Sequence, residues 1–198
     1  MTNSSYLNRK AAGIAIALAA AIVASASGAW AQTVAGSITA INGTVTITRA
    51  GRSFPAAYGG AIDVGDRVAT ASDGRATITL TDGSQLELTE SSALVINENL
   101  LSASGARTRT SVTLLGGLVR SLVRFTAGTP PNFEVHTPNA VASARGTTYD
   151  TDYQNNANRK GYTRCKEFTD VTVYDGTVAV TNPTNPSSPP VDFHSGQK

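Results

Sequence analysis

Short runs in which apolar and polar residues alternate, each interrupted by an Asn-Gly or Asp-Gly pair, recur along this chain and restrict its fold more than any other feature. Alternation places every second side chain on one face of an extended strand. Asn-Gly or Asp-Gly between two such runs signals a β-hairpin or β-turn, because both residues tolerate a positive φ. The turn pairs are Asn42-Gly43, Asp82-Gly83 and Asp175-Gly176, within segments 38–48, 76–88 and 171–181.

The rest of the chain beyond the N-terminus supports the same fold class. It is rich in Thr and Val, which pack well in strands and poorly in helices, and it has no long stretch with a clean helical period. The sequence therefore predicts an all-β fold built as a stack of short strands with short turns. The stack is either β-sandwich-like or irregularly β-helical.

A weak internal repeat, [Ile/Val]-Thr-x-x-x-Gly, accompanies these runs and begins at Ile38, Ile78, Val112 and Val171. Its spacing is irregular, whereas a strict solenoid keeps a fixed period. We interpret it as a recurring strand-and-turn unit, and chance similarity among Thr/Val/Gly-rich turns is the alternative.

Residues 114–125 can be read in two ways. Leu118, Leu122 and Phe125 have helical spacing, but Gly116-Gly117 disfavours a helix, and we predict a strand. Residues 183–198 form a Pro/Ser-rich tail after a β domain at 32–182, and the run 191–196 is expected to add a last edge strand.

The N-terminus has the pattern of a secretory signal peptide. Arg9 and Lys10 precede an uninterrupted apolar stretch at 11–23, and Ala29-Trp30-Ala31 matches the A-x-A cleavage pattern. Cleavage after Ala31 would remove two of the 16 cations and leave 14 against 14 acidic residues. A neutral exported chain is a poor nucleic-acid binder. Because a signal peptide directs export and is then removed, we expect a periplasmic or secreted protein without a membrane span. The alternative is an uncleaved anchor.

Cys165 is the single cysteine, so no disulfide can form within the chain. The domain must then be held together by its core. The thiol is either free and inert or links two copies in a dimer.

The motifs of the predicted domain resemble those of the FecR-like domain family of bacterial envelope proteins. The matching elements, in family order, are Gly43-Thr-Val-Thr-Ile47, Val64-Gly-Asp-Arg-Val-Ala-Thr70, Asp82-Gly-Ser-Gln-Leu-Glu-Leu88, Thr137-Pro-Asn-Ala-Val-Ala-Ser-Ala-Arg-Gly-Thr147, Val171 to Val180, and Ser195-Gly-Gln197. The resemblance implies kinship with transmembrane regulators that sense an outer-membrane transporter and control an extracytoplasmic-function sigma factor. We expect this chain to have neither a cytoplasmic segment for a sigma factor nor a further transporter-contacting domain, because its only long apolar stretch is the predicted signal peptide. We therefore expect only the periplasmic module.

The family-motif positions are expected to be structural and not to form a binding site. They are Gly65, Asp66, Asp82, Gly83, Thr137, Pro138, Arg145, Gly146, Thr147 and Gly176. The glycines suit tight turns, and Pro138 is expected to end a strand at a sheet edge. Arg145 is expected to tie neighbouring loops together, through loop carbonyls or through Asp150 or Asp152.

No catalytic motif is present, since the sequence lacks a phosphate-binding G-x-x-x-x-G-K-[ST] loop, an H-E-x-x-H pair and a G-x-S-x-G elbow. His136 and His194 lie far apart, which argues against a metal site, and we expect no cofactor. Carboxylate pairs occur at Asp150 with Asp152 and at Glu87 with Glu90, and are predicted to be solvated and not catalytic.

Cations cluster at Arg107/Arg109 with Arg120/Arg124, and at Arg159-Lys160 with Arg164 and Lys166. They are expected to be solvated faces, although either cluster could meet an anionic envelope polymer.

We expect a non-enzymatic module that binds another envelope protein by strand addition at a sheet edge, with Thr46 and Thr177 as candidate edge positions. A homo-oligomer is a further possibility. The alternative function is binding of envelope polysaccharide or peptidoglycan, and a link to envelope signalling is implied by the resemblance alone.

Overall fold

The computed structural model describes residues 33–125, 132–185 and 187–196. The predicted signal peptide, residues 1–31, and Gln197 of the terminal motif lie outside the described residues. The described part contains strands and turns without a helix, which confirms the all-β prediction. The strands are β1 Val34–Asn42, β2 Val45–Arg49, β3 Arg52–Pro55, β4 Ala61–Asp63, β5 Arg67–Thr70, β6 Arg75–Leu80, β7 Gln85–Leu88, β8 Ala93–Leu101, β9 Arg107–Val123, β10 Phe133–His136, β11 Val141–Ala144, β12 Thr147–Gln154, β13 Phe168–Asp175, β14 Thr177–Thr181 and β15 Val191–His194.

These strands form two hydrogen-bonded arrays that share strand β9. The first sheet has the order β4-β1-β6-β7-β9-β12-β13, and the second has the order β3-β2-β5-β8-β9-β10-β11-β14-β15. Every pairing is antiparallel except that of β9 with β10. The chain crosses repeatedly from one sheet to the other, so each sheet is assembled from segments that are far apart in sequence.

Strand β9 changes sheets at Gly116-Gly117. Gly116 is paired with Ala93 of the second sheet, whereas Gly117 is paired with Tyr153 of the first. Gly117 has a φ of +77°, and a Cβ there would lie 2.7 Å from the Cα of Ser92. The glycines that disfavour a helix thus provide the bend, and the prediction of a strand for this segment is confirmed.

One hydrophobic core is common to both sheets. The first sheet contributes Ile38, Ile78 and Leu86 from alternate positions, and the second contributes Ile47 and Leu94 in the same way. Burying a side chain of this size stabilises the fold by about 1.5–3 kcal/mol. The alternation seen in the sequence is therefore the inward face of each sheet, and the arrangement is sandwich-like.

The three predicted Asn-Gly and Asp-Gly turns differ in what they join. Asp82-Gly83 connects β6 and β7, which pair with each other as a hairpin. Asn42-Gly43 and Asp175-Gly176 are instead corners at which the chain passes from the first sheet to the second, so of the two alternatives, hairpin or turn, the hairpin does not apply there. A positive φ at glycine permits a sharp turn, but the pairing of the flanking strands is decided by distant segments. The first and last copies of the repeat are both such corners.

The predicted positions of sheet edges are only partly correct. The last strand, β15, is an edge strand, as predicted, and pairs with β14. Thr46 lies in β2, between β3 and β5, and Thr177 lies in β14, between β11 and β15, so neither marks an edge. Pro138 follows β10, an interior strand between β9 and β11, and the expectation of an edge there is wrong as well.

Candidate functional site

The family-motif glycines lie where the chain turns sharply. Gly65, Gly83 and Gly176 have φ values of +91°, +82° and +81°, a region that other residues rarely adopt. Gly146 is restricted by space instead, because a Cβ there would lie 2.6 Å from the Cβ of Phe125. Thr147 donates its hydroxyl to the carbonyl of Thr177 at 3.2 Å and so connects two corners. Gly65, Gly83 and Gly176 are thus set by their backbone conformation, whereas Gly146 and Thr147 are set by close contacts.

Asp66 is fully buried and anchors the corner between β4 and β5. Its carboxylate accepts Nε and Nη2 of Arg49 at 2.8 and 2.6 Å and the backbone N–H of Asp63 at 2.8 Å. Arg49 also contacts the Asp63 carboxylate at 2.7 Å. The hydrogen bond to Asp66 raises the pKa of Arg49 above its usual value. This ion-paired cluster fixes the corner to strand β2.

Asp82 takes part in a second buried cluster, centred on Arg107. The Arg107 guanidinium donates to the Asp82 carboxylate and, at 2.9 Å each, to Ser84 Oγ, Asn132 Oδ1 and the carbonyls of Arg124 and Arg145. The Arg107 side chain is 0% exposed and that of Asp82 is 4% exposed. Such a fully bonded guanidinium joins the β6–β7 hairpin to the ends of β9 and β11.

Arg107 was expected on a solvated cationic face, and this prediction is wrong. Alternation would give Arg107 and Arg109 the same environment, yet the first is buried and the second is exposed. The register of β8 and β9 shifts between Leu100 and Leu101, which changes the orientation of the strand at this point. Nothing in the local sequence indicates this shift.

Arg145, expected to tie loops together, has its guanidinium over the ring of Phe125 at 5.2 Å. Asp150 and Asp152, the two carboxylates expected to bind Arg145, contact other residues. Asp150 is bound by Arg120, and Asp152 accepts a hydrogen bond from Gln154. The extensive linking of loops is carried out by Arg107, to which Arg145 contributes its backbone carbonyl.

Thr137 and Pro138 form the tight turn between β10 and β11. The Thr137 N–H and the Ala140 carbonyl are 2.8 Å apart, and the Ala140 N–H donates to the Thr137 hydroxyl at 3.0 Å. That hydroxyl also lies 2.8 Å from the hydroxyl of Thr169 in β13. The turn thereby connects the second sheet to the edge of the first.

The candidate carboxylate pairs are not arranged as coupled acid and base. Asp150 is buried, contrary to the prediction of a solvated pair, and accepts Nε and Nη2 of Arg120 at 2.8 and 3.0 Å and the Tyr174 hydroxyl at 2.8 Å. The hydrogen bond to Asp150 raises the pKa of Arg120. Glu90 is ion-paired with Arg75 at 2.6 Å. Asp150 and Glu90, one from each candidate pair, are therefore each ion-paired with an arginine.

An open groove of about 520 Å³ lies on the first sheet beside these ion pairs. Polar residues of neighbouring strands face it, and apolar atoms form most of its surface. Its lining residues come from β1, β6, β7, β9 and β12 and include Ile41, Thr77, Glu87, Leu118, Arg120 and Asp150. Size and composition are those of a ligand site of modest polarity.

The histidines and the cysteine remain apart. His136 contacts Glu134 at 2.9 Å, and His194 contacts Thr177 at 3.0 Å. Within residues 33–125, 132–185 and 187–196, no three His, Cys, Asp or Glu side chains are grouped as metal ligands. Cys165 is exposed with a free thiol. Arg159 of the second cationic cluster is paired with Asp170 at 2.9 Å.

The same part of the chain holds no helix long and apolar enough to cross a membrane. The two sheets share one core, and buried ion pairs hold their corners. The fold is therefore an all-β module, as the sequence motifs predict. The family profile of the FecR protein matches residues 66–179, more than half of the chain, and the chain belongs to the FecR family.

The comparison with solved structures gives distant matches. Two crystal structures of a “putative anti-sigma factor” from Parabacteroides distasonis align with TM-scores of 0.48 and 0.47 at 18% sequence identity. Each alignment covers 65% of this chain and 51% of the other, so the chain spans about half the length of that protein. No curated protein matches the sequence.

Proposed function

We propose that this protein is a non-enzymatic, signalling-related module of the FecR family that acts outside the cytoplasm by binding an extended segment of another envelope protein. Membership of the family supports a role in signalling. The predicted signal peptide supports the location, and the pairing of the candidate carboxylates with arginines supports a role without catalysis. The single observation that carries the binding mode is the edge strand β15.

The other edge strands are poorly suited to pairing with a partner. Strand β4 has three residues, and β3 includes Arg52 and Pro55, of the types that protect an edge. Strand β13 is longer, but Gly196 donates to its Val173 carbonyl at 3.0 Å, and the β10–β11 turn contacts its other end through Thr169. Both ends of β13 are thus partly occupied.

Strand β15 pairs with β14 along one side only. Phe193 packs against the core and fixes the strand, whereas Val191 is 56% exposed. Backbone donors and acceptors along the free side can pair with an added strand, and exposed side chains such as Val191 supply contacts that select the partner.

Cross-linking from a single cysteine tests the proposal. A photo-cross-linker is attached to Asp192→Cys on a Cys165→Ser background, with Arg52→Cys on the opposite edge as the matched probe. In envelope fractions we expect one dominant protein adduct from position 192 and none from position 52. Excess unlabelled protein should compete for it.

A pair of competitors makes the test specific to β15. Unlabelled Val191→Lys should fail to compete, because a lysine on the edge opposes strand addition. Leu100→Lys, which replaces a residue that is 49% exposed elsewhere, should compete fully. Equal adducts from both edges, self-adducts only, or retention on peptidoglycan that high salt abolishes would each contradict the proposal. The last result would favour the polysaccharide alternative.

A further inference from the structure

The groove on the first sheet has a regular construction. Thr77, Glu87, Arg120 and Asp150 are directly opposite one another across four neighbouring strands, and all four face the groove. Because the row runs across the sheet, its side chains are held by the register of the strands. The groove is therefore largely preformed.

Part of the surface beside this row is apolar. Leu118 is half-buried and lines the groove, together with Ala40. Ile41 also lines it but packs against the hydrophobic core. Apolar surface of this kind can hold a hydrocarbon chain but not a compact, fully hydrated ion. A ligand that fits must combine an apolar part with a polar end.

One carboxylate at the groove has no arginine partner. Arg120 is ion-paired with Asp150, and Arg75 is ion-paired with Glu90. Glu87 is half-buried and makes no hydrogen bond or ion pair with any residue of the described part of the chain. Because Arg75 pairs with Glu90 outside the groove lining, Glu87 is the lining carboxylate that neither arginine binds.

We propose that this groove binds a lysine side chain from an extended segment of a partner protein. The aliphatic stem lies on Leu118, two residues along β9 from the Arg120 that is opposite Glu87, and the ammonium group binds the Glu87 carboxylate. Lysine commonly divides its side chain between an apolar surface and a polar end in this way. The hydrogen bond to a carboxylate is of the strong, charge-assisted kind. The site is on the first sheet, distinct from β15, and does not depend on strand addition.

Titration with short peptides tests the site directly. The probe is acetyl-Val-Thr-Lys-Thr-Val-amide, and the matched ligand carries norleucine in place of lysine, which keeps the stem and removes the charge. We expect the lysine peptide to bind at least tenfold more tightly, because only lysine can donate a charge-assisted hydrogen bond to Glu87. Binding is measured by calorimetry and by amide chemical shifts of β7 and β9.

Variants assign the effect to the groove. Glu87→Gln should weaken the lysine peptide at least tenfold and leave the norleucine peptide unchanged. Glu98→Gln, which alters a carboxylate paired with Arg109 on the second sheet, should change neither. Thr77→Lys places a lysine of the chain itself opposite Glu87 and should abolish binding in a folded protein, as checked by circular dichroism.

Several results would overturn the proposal. Equal affinity for the lysine and norleucine peptides would show that Glu87 plays no part. An unchanged affinity in Glu87→Gln, or no binding of either peptide at millimolar concentration, would also refute it. Binding of a soluble N-acetylglucosamine tetramer in the groove, with no binding of peptide, would assign the site to carbohydrate.

Discussion

Replacement of Arg107 by methionine is expected to be among the most destabilising single changes in the protein. The variant keeps a side chain of similar length but leaves the carboxylate of Asp82, which is 4% exposed, without its cation. Removing one partner of a buried ion pair costs about 3–5 kcal/mol. The carbonyls of Arg124 and Arg145 also lose a donor, which adds at most about 1 kcal/mol each.

The expected loss is therefore about 3–7 kcal/mol, a large share of the roughly 5–15 kcal/mol by which domains are stable. Urea unfolding followed by far-UV circular dichroism measures it, and the variant should unfold at much lower urea or already be unfolded in buffer. The matched control is Arg75→Met, whose pair with Glu90 is exposed and should contribute less than about 1 kcal/mol.

A double variant distinguishes the cost of leaving the Asp82 carboxylate unpaired from the cost of the lost packing. Arg107→Met combined with Asp82→Asn should be more stable than Arg107→Met alone, because a neutral amide costs less to bury than a carboxylate. A loss below about 1.5 kcal/mol in Arg107→Met, or a double variant less stable than the single one, would refute the assigned role of this ion pair.

Two further predictions concern a corner and the core. Gly43→Ala should lower the free energy of unfolding by more than about 2 kcal/mol, since the φ is +61° and the new Cβ would lie 2.0 Å from the Asp73 carbonyl oxygen. Gly51→Ala, with open space around it, should lower it by about 1 kcal/mol. Equal urea midpoints for the two variants would contradict this. Burial raises the pKa of Tyr149, so this residue stays protonated in the folded state above about pH 10, where unfolded tyrosine ionises. Stability is thus fully present below pH 10 and should fall above it by about 1.4 kcal/mol per pH unit for this group. Thermal melts at pH 9 to 11 should show a shallower decline for Tyr149→Phe and an unchanged one for Tyr58→Phe.

The sequence predicts the strands of this fold better than their partners. Alternation identifies the inward residues of β1, β6 and β14, because the two-residue period of a strand is a local property. The corner at Gly43 and the hairpin at Gly83 look alike in sequence, since glycine permits either, and only distant strands decide between them. The same limit applies to Thr46, whose neighbours β3 and β5 cannot be inferred from its own segment.

The candidate sites were harder to predict for a related reason. Asp66 and Asp82 stand out through the family motifs, but their partners Arg49 and Arg107 are 17 and 25 residues away and are not themselves part of a matching motif. Glu87 looks like any solvated carboxylate until the pairing of β7 with β6 and β9 places it on the groove. Ion pairs are matters of tertiary geometry, which composition and spacing do not determine.

Strand β9 also has a consequence for how this chain acquires and loses its structure. It lies near the middle of the sequence and pairs with β7, β8, β10 and β12, so neither sheet can be completed before it is in place. Closing such distant segments is entropically costly, and we expect folding on the millisecond-to-second timescale typical of all-β topologies. In the reverse direction, opening one sheet pulls apart the strand that the other depends on. Amide protons in the two sheets should therefore exchange through a common opening of the whole domain.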